Sequence, residues 1–153
     1  MIAEPKQSGS HVARGYALAI VVTHFALSVA HGAAHAHLAI RLTAMQQIFI
    51  IAVITAAPLL AGYLIWKFRL RVGGLVLALS MAGALAFGIY YHYVVPGPDN
   101  VSYDHSNASP NWRSLFENTS MDLALVEGLG VFAGLALILK ASGHAGAPDA
   151  ATK

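Results

Sequence analysis

Residues 16–40 read YALAIVVTHFALSVAHGAAHAHLAI. The run contains no Asp, Glu, Lys or Arg, and it exceeds the roughly 20 apolar residues a helix needs to cross about 30 Å of hydrocarbon. Three further stretches qualify by the same measure: 45–66, 72–95 and 120–139. In lipid each must be a helix, because an open strand would leave backbone N–H and C=O groups unpaired. The sequence therefore predicts an all-α membrane protein, a four-transmembrane-helix bundle surrounded by the lipid bilayer.

Composition agrees. Of 153 residues, 57% are apolar and 10% charged, where soluble domains average about 45–50% and about 25%. With so few charges there is no ordinary water-facing surface. The expected organisation is a flexible tail at 1–14, one transmembrane domain at 15–140 with an outward loop at 96–118, and a flexible tail at 141–153. His11 and His144 fall in those tails and are set aside as uninvolved.

The spans carry end signals. Thr119-Ser120-Met121-Asp122 reads as a cap opening span four. Pro96-Gly97-Pro98 stops span three, and Pro58 should kink span two. Gly130-x-x-x-Gly134 and Ala84-x-x-x-Gly88 have the spacing of small residues that lets helices pack closely within the chain.

Orientation is read from Lys and Arg. Lys67, Arg69 and Arg71, together with Lys6, Arg14, Lys140 and Lys153, fall on one side of a four-span chain, against Arg41 and Arg113 on the other. Both termini are therefore expected in the cytoplasm, with the loop facing the periplasm or exterior of what reads as a bacterial cytoplasmic membrane. Ser28-Val29-Ala30 also fits a signal-peptidase site. Cleavage there would leave three spans beginning at His31 and would keep the histidines outside.

Cysteine is absent, so disulfides, thiolate ligands and cysteine nucleophiles are excluded. The formal charge of +2 and the lack of a basic run exclude nucleic acid as a partner. There is no phosphate loop, dinucleotide fingerprint or hydrolase elbow.

What remains is histidine. His24, His31 and His35 fall on one stripe of span one with Ser28, while His37 points elsewhere. Such a stripe should face the bundle interior. On the assigned orientation His31 and His35, His92 near the end of span three, and Glu127 two turns inside span four lie at matched depth in the outer half. Glu127 is the most informative, because a charged carboxylate inside an apolar helix needs a partner or a cation. Asp99, Asp104 and His105 of the loop are further candidates, as is His24 from the middle of span one. Trp112, Phe116, Tyr90, Tyr91 and Tyr93 suit an interfacial aromatic belt.

These residues fit several chemistries. One is a transition metal (Cu, Zn or Fe) held by His31, His35, His92 and Glu127, for redox chemistry or metal handling. The i,i+4 pair His31/His35 supplies two ligands from one helix, and facing helices supply the rest. A second is a b-type cytochrome, with haem b held between His35 and His92. A third is a cofactor-free, proton-coupled carrier that uses His and Glu as relay groups. A fourth is an accessory subunit of a larger membrane complex. A carrier with so few spans would need to form a homo-oligomer.

Overall fold

A computed structural model describes residues 8–106 and 108–143. Residues 1–7 and 144–153, with Lys6, Lys153, His144 and most of the two expected tails, lie outside the described residues. Among the described residues every regular element is helical, and four helices are long and apolar enough to span a membrane. They are α1 (Ser8–His37), α2 (Ala44–Trp66), α3 (Leu70–Val94) and α4 (Pro110–Gly143).

The helices outrun the apolar windows that announced them. α1 begins at Ser8 and includes His11 as an exposed helical residue. α4 begins at Pro110, ten residues ahead of the apolar window, so Thr119 is not a cap but lies inside the helix. The working start is Ser109-Pro110, whose Ser109 carbonyl accepts from the Trp112 and Arg113 amides. Proline suits a first helical position because its missing N–H is not needed there. An Arg113–Glu117 pair at 2.9 Å supports this polar first stretch.

Two tight turns reverse the chain. α1 ends with Ala39 at φ 53 and the Ile40 amide bonded back to the His35 carbonyl at 3.0 Å. α2 ends the same way, with Phe68 at φ 60 and the Arg69 amide bonded to the Leu64 carbonyl at 2.8 Å. Both are left-handed caps that satisfy carbonyls a helix end leaves open. Arg14 secures the second turn: its guanidinium lies 3.9 Å from the Phe68 ring centroid and donates to the Trp66 carbonyl at 3.1 Å.

Pro58 does not act as a simple kink. The seven residues before Ala57 (Ile50–Ala56) form π-helix, and the α-helix resumes with Pro58 in its first turn. The wider turn absorbs the backbone bond that proline cannot make. A second π-helical stretch, Tyr90–Val94, ends α3.

Side chains divide the interior into layers. At the end nearer the Lys67–Arg71 turn, Ala17, Val21, Ala61, Ile65, Leu77, Met81 and Leu137 form a dry core. There α3 and α4 touch backbone to backbone. A Cβ on Gly134 would stand 2.6 Å from the Gly74 carbonyl, and one on Gly130 would stand 2.6 Å from Met81. Apolar burial drives little between helices in lipid, so close packing of this kind carries much of the association. At the opposite end Ala34, Leu38, Ile40 and Phe116 form a second, smaller cluster. The polar residues His24 and Glu127 lie between the two. Outside, large apolar side chains such as Val22, Leu79, Phe132 and Leu139 are exposed, as a lipid-facing surface requires.

Two measurements test this arrangement. Gly134→Ala should destabilise the bundle by about 1–3 kcal/mol, the usual cost of forced overpacking. Gly128→Ala, where an added Cβ meets nothing within 4 Å, should leave thermal unfolding in detergent unchanged. The expected orientation is checked in whole cells with single cysteines in this cysteine-free chain. Ser102→Cys should react with an impermeant maleimide, and Arg69→Cys should react only after lysis.

Candidate metal centre

His31 and His35 are one helical turn apart on α1 and both face inward. His92 reaches the same point from α3, where the π-turn widens the helix and aims this residue at the bundle interior while Tyr90 and Tyr93 stay exposed. All three imidazoles are buried, and one ligand nitrogen from each lies within 4.8 Å of the others. The ring centroids of His31 are 4.7 Å from His35 and 4.9 Å from His92.

The rings are held by partners that also fix their protons. Thr119 donates its hydroxyl hydrogen to the Leu115 carbonyl at 2.6 Å. Its oxygen can then only accept from His31 Nδ1, which stands 2.9 Å away. The proton of neutral His31 is thus on Nδ1, and Nε2 is a bare lone pair. His92 Nδ1 stands 2.8 Å from the Asp99 backbone carbonyl. A carbonyl only accepts, so Nδ1 carries the hydrogen and Nε2 is again bare. This outer support is what orients imidazole ligands in metal sites. His35 Nε2 lies 3.0 Å from His31 Nε2. Since His31 offers a lone pair there, His35 supplies the proton between them, and its own Nδ1 is buried without a partner.

The loop after α3 folds back over this cluster. The Val101 amide donates to the His92 carbonyl at 2.9 Å, and the Asn100 side chain donates to the Val95 carbonyl at 3.0 Å. That fold lowers Asp99 onto the histidines, with Oδ1 3.1 Å from His35 Nε2 and 3.2 Å from His92 Nδ1. Both contacts lie off the N–H directions, so the two carboxylate oxygens are buried with no hydrogen bond. Burial works to raise the Asp99 carboxyl. The imidazoles of His35 and His92 outweigh it and hold the group well below the usual carboxylate range. A buried carboxyl with no hydrogen bond to either oxygen is costly to keep.

Phe116 closes the cluster from α4. It is wholly buried, stacks on His31 at 5.2 Å and meets His35 and His92 edge-on at 5.3 and 5.5 Å. It does not belong to an interfacial belt, because the early start of α4 turns it onto the same inward stripe as Thr119, Leu123 and Glu127. Trp112 is only half-buried and stacks on His37 at 3.7 Å, which gives that histidine a place outside the cluster.

The other candidates lie elsewhere. Glu127 is buried and bonded through Oε1 to His24 Nε2 at 3.3 Å, deeper in the bundle. It shares a cavity lining with the cluster, and the spot where a Gly88 Cβ would stand lies 3.9 Å from Glu127 Oε2 and 3.8 Å from His92 Cδ2. His105 donates to the Pro98 carbonyl at 3.0 Å within the loop, and Asp104 is exposed near Arg113. The carbonyl can only accept, so His105 is the donor.

Phe116 and Thr119 were missed as functional residues by sequence reasoning. The signal available for both was the Ser109-Pro110 helix start, which puts them in phase with Glu127. No family model, curated protein or solved structure matches this chain.

The residues present suit a cation. Two fixed lone pairs, a third imidazole and an unbonded carboxylate converge, and hydrogen bonds among themselves leave three buried polar atoms unsatisfied. A haem fits less well. It needs a flat slot between two facing imidazoles, and His31 stands within 5 Å of both His35 and His92.

Phe116→Ala should cost about 3–5 kcal/mol, as for an aromatic removed from a packed interior. Phe132→Ala, on a residue 71% exposed, should cost almost nothing. Thermal unfolding of both variants in the same detergent checks the difference.

Proposed function

We propose that this integral membrane protein binds one transition-metal ion, Cu, Zn or Fe, through His31, His35 and His92, with Asp99 as the balancing carboxylate. The observation that carries the reading is the fixed pair of lone pairs. Thr119 and the Asp99 carbonyl hold His31 and His92 in the tautomers that leave Nε2 with a lone pair, and one ligand nitrogen from each of the three rings lies within 4.8 Å of the others. Three nitrogens and a carboxylate oxygen form a donor set suited to these metals, with no thiolate to select a softer ion. The ion would take the place of the one proton that now joins His31 to His35.

Charge supports the same reading. A divalent ion bound by three neutral imidazoles leaves two positive charges inside a low-dielectric bundle. Asp99 neutralises one from the loop. Glu127 stands across a cavity and offers a second carboxylate without joining the ligand set. The basic-residue distribution supports placing this site on the outward side of the membrane, where it would serve metal handling or redox chemistry.

Purified protein loaded separately with Zn2+, Cu2+ and Fe2+ should retain one ion per chain. His31→Ala and His92→Ala should abolish that stoichiometry. Thr119→Val, which removes only the acceptor behind His31, should weaken affinity about 10–100-fold, the usual effect of losing such a support. Equal metal content in wild type and His92→Ala would overturn the assignment.

A further inference from the structure

A cavity of about 170 Å³ adjoins the imidazole cluster. Carbon lines most of it: Leu42, Ile50, Ile54, Phe87 and Leu123 contribute the walls. Its volume is close to that of interior cavities of about 150 Å³ that admit benzene. Its mouth lies where α2 changes neighbours. The inner half of α2 packs on both α1 and α3, whereas the π-helical half packs on α3. The face of α1 around Ser28 and Gly32 is left lining the gap, with Gly32 exposed. A path through that gap would open sideways, between membrane-spanning helices.

The polar end of the cavity is unusual in kind. Ser28 and Ser120 line it, but their hydroxyls donate to the His24 and Phe116 carbonyls at 2.8 and 2.7 Å. The groups with capacity to spare are acceptors. They are His35 Nδ1, the bare Nε2 of His92, the two unbonded oxygens of Asp99, and Glu127 Oε2, since Oε1 is taken by His24. A purely apolar guest would leave these acceptors unsatisfied, and a carbonyl guest would oppose them. A hydroxyl donor matches them.

We propose that this cavity binds a lipid-soluble phenol of the hydroquinone class, which enters from the bilayer between α1 and α2. The ring occupies the carbon-lined volume, and the hydroxyl donates into the acceptors between His92 and Glu127. As a binding site the pocket stands on its own geometry. As the substrate of the metal site it rests on the reading above.

Gly88 gives a test that spares the fold. A Cβ there meets His92 and Glu127 at 3.8 and 3.9 Å, ordinary contact distances, yet it stands in the passage between them. The probes are 4-fluorophenol and 4-fluoroanisole, equal in ring but different in O–H, observed by fluorine NMR with metal-free protein in nanodiscs. Empty nanodiscs measure partition into lipid. The expected result is saturable binding of the phenol, at least tenfold tighter than the ether, and weakened at least tenfold by Gly88→Ala and by the cavity-filling Ile54→Trp. Zinc stoichiometry, measured in parallel, should stay at the wild-type value in Gly88→Ala. Equal affinity for phenol and ether in the wild-type protein, or uptake no greater than that of empty nanodiscs, would overturn the proposal while leaving an intact zinc site untouched. Loss of zinc with retained phenol binding would instead reject the metal reading alone.

Discussion

A neutral imidazole presents a lone pair from one nitrogen only when the other keeps its proton, and inside a membrane that proton must be given to something. The histidine-bearing end of this bundle is organised around that constraint. Thr119 and the Asp99 carbonyl receive the two N–H groups, and each can do so only because of structure further away. Thr119 is free to accept because its own hydrogen goes to Leu115. The Asp99 carbonyl is in range because the loop folds back through the Val101 and Asn100 contacts. Removing either support would leave a buried donor unpaired, at about 1–3 kcal/mol for each such group, besides letting the ring turn.

The two ends of the molecule have different tasks and different packing. Near the basic turn the helices meet through glycine and alanine, dry and close, with backbone against backbone at Gly74 and Gly134. The polar residues and the cavity lie away from that contact, beside His31, His35 and His92. Stability concentrated at one end thus allows the other to keep unsatisfied acceptors that a uniformly packed bundle would not tolerate.

Much of this was legible in the residues. Four apolar windows without charge gave four helices, because lipid permits no alternative. His31 and His35 share a stripe, and His92 lies at their depth by counting along span three. Partners were harder to read. Glu127 has the right depth for the cluster, but the rotation of α4 sends one oxygen to His24, and helix rotation depends on packing that no single-helix pattern records. Phe116 looked interfacial because its helix was thought to begin later. Asp99 stood among ordinary loop residues until the loop's hydrogen bonds placed it. The loop's path depends on contacts such as that between Val101 and His92, nine positions apart, which leave no periodic trace.

The π-turn at Tyr90–Val94 has a consequence for how such a site could arise or be lost. A π-turn holds one residue more than the α-helix it interrupts, so everything beyond it is displaced by about 100° around the axis. His92 sits within that extra turn. Dropping a single residue there would return α3 to an ordinary helix, swing the imidazole toward the acyl chains and leave the glycine-packed end as it was. The proposed metal site would therefore be one codon away from loss, while the architecture would not.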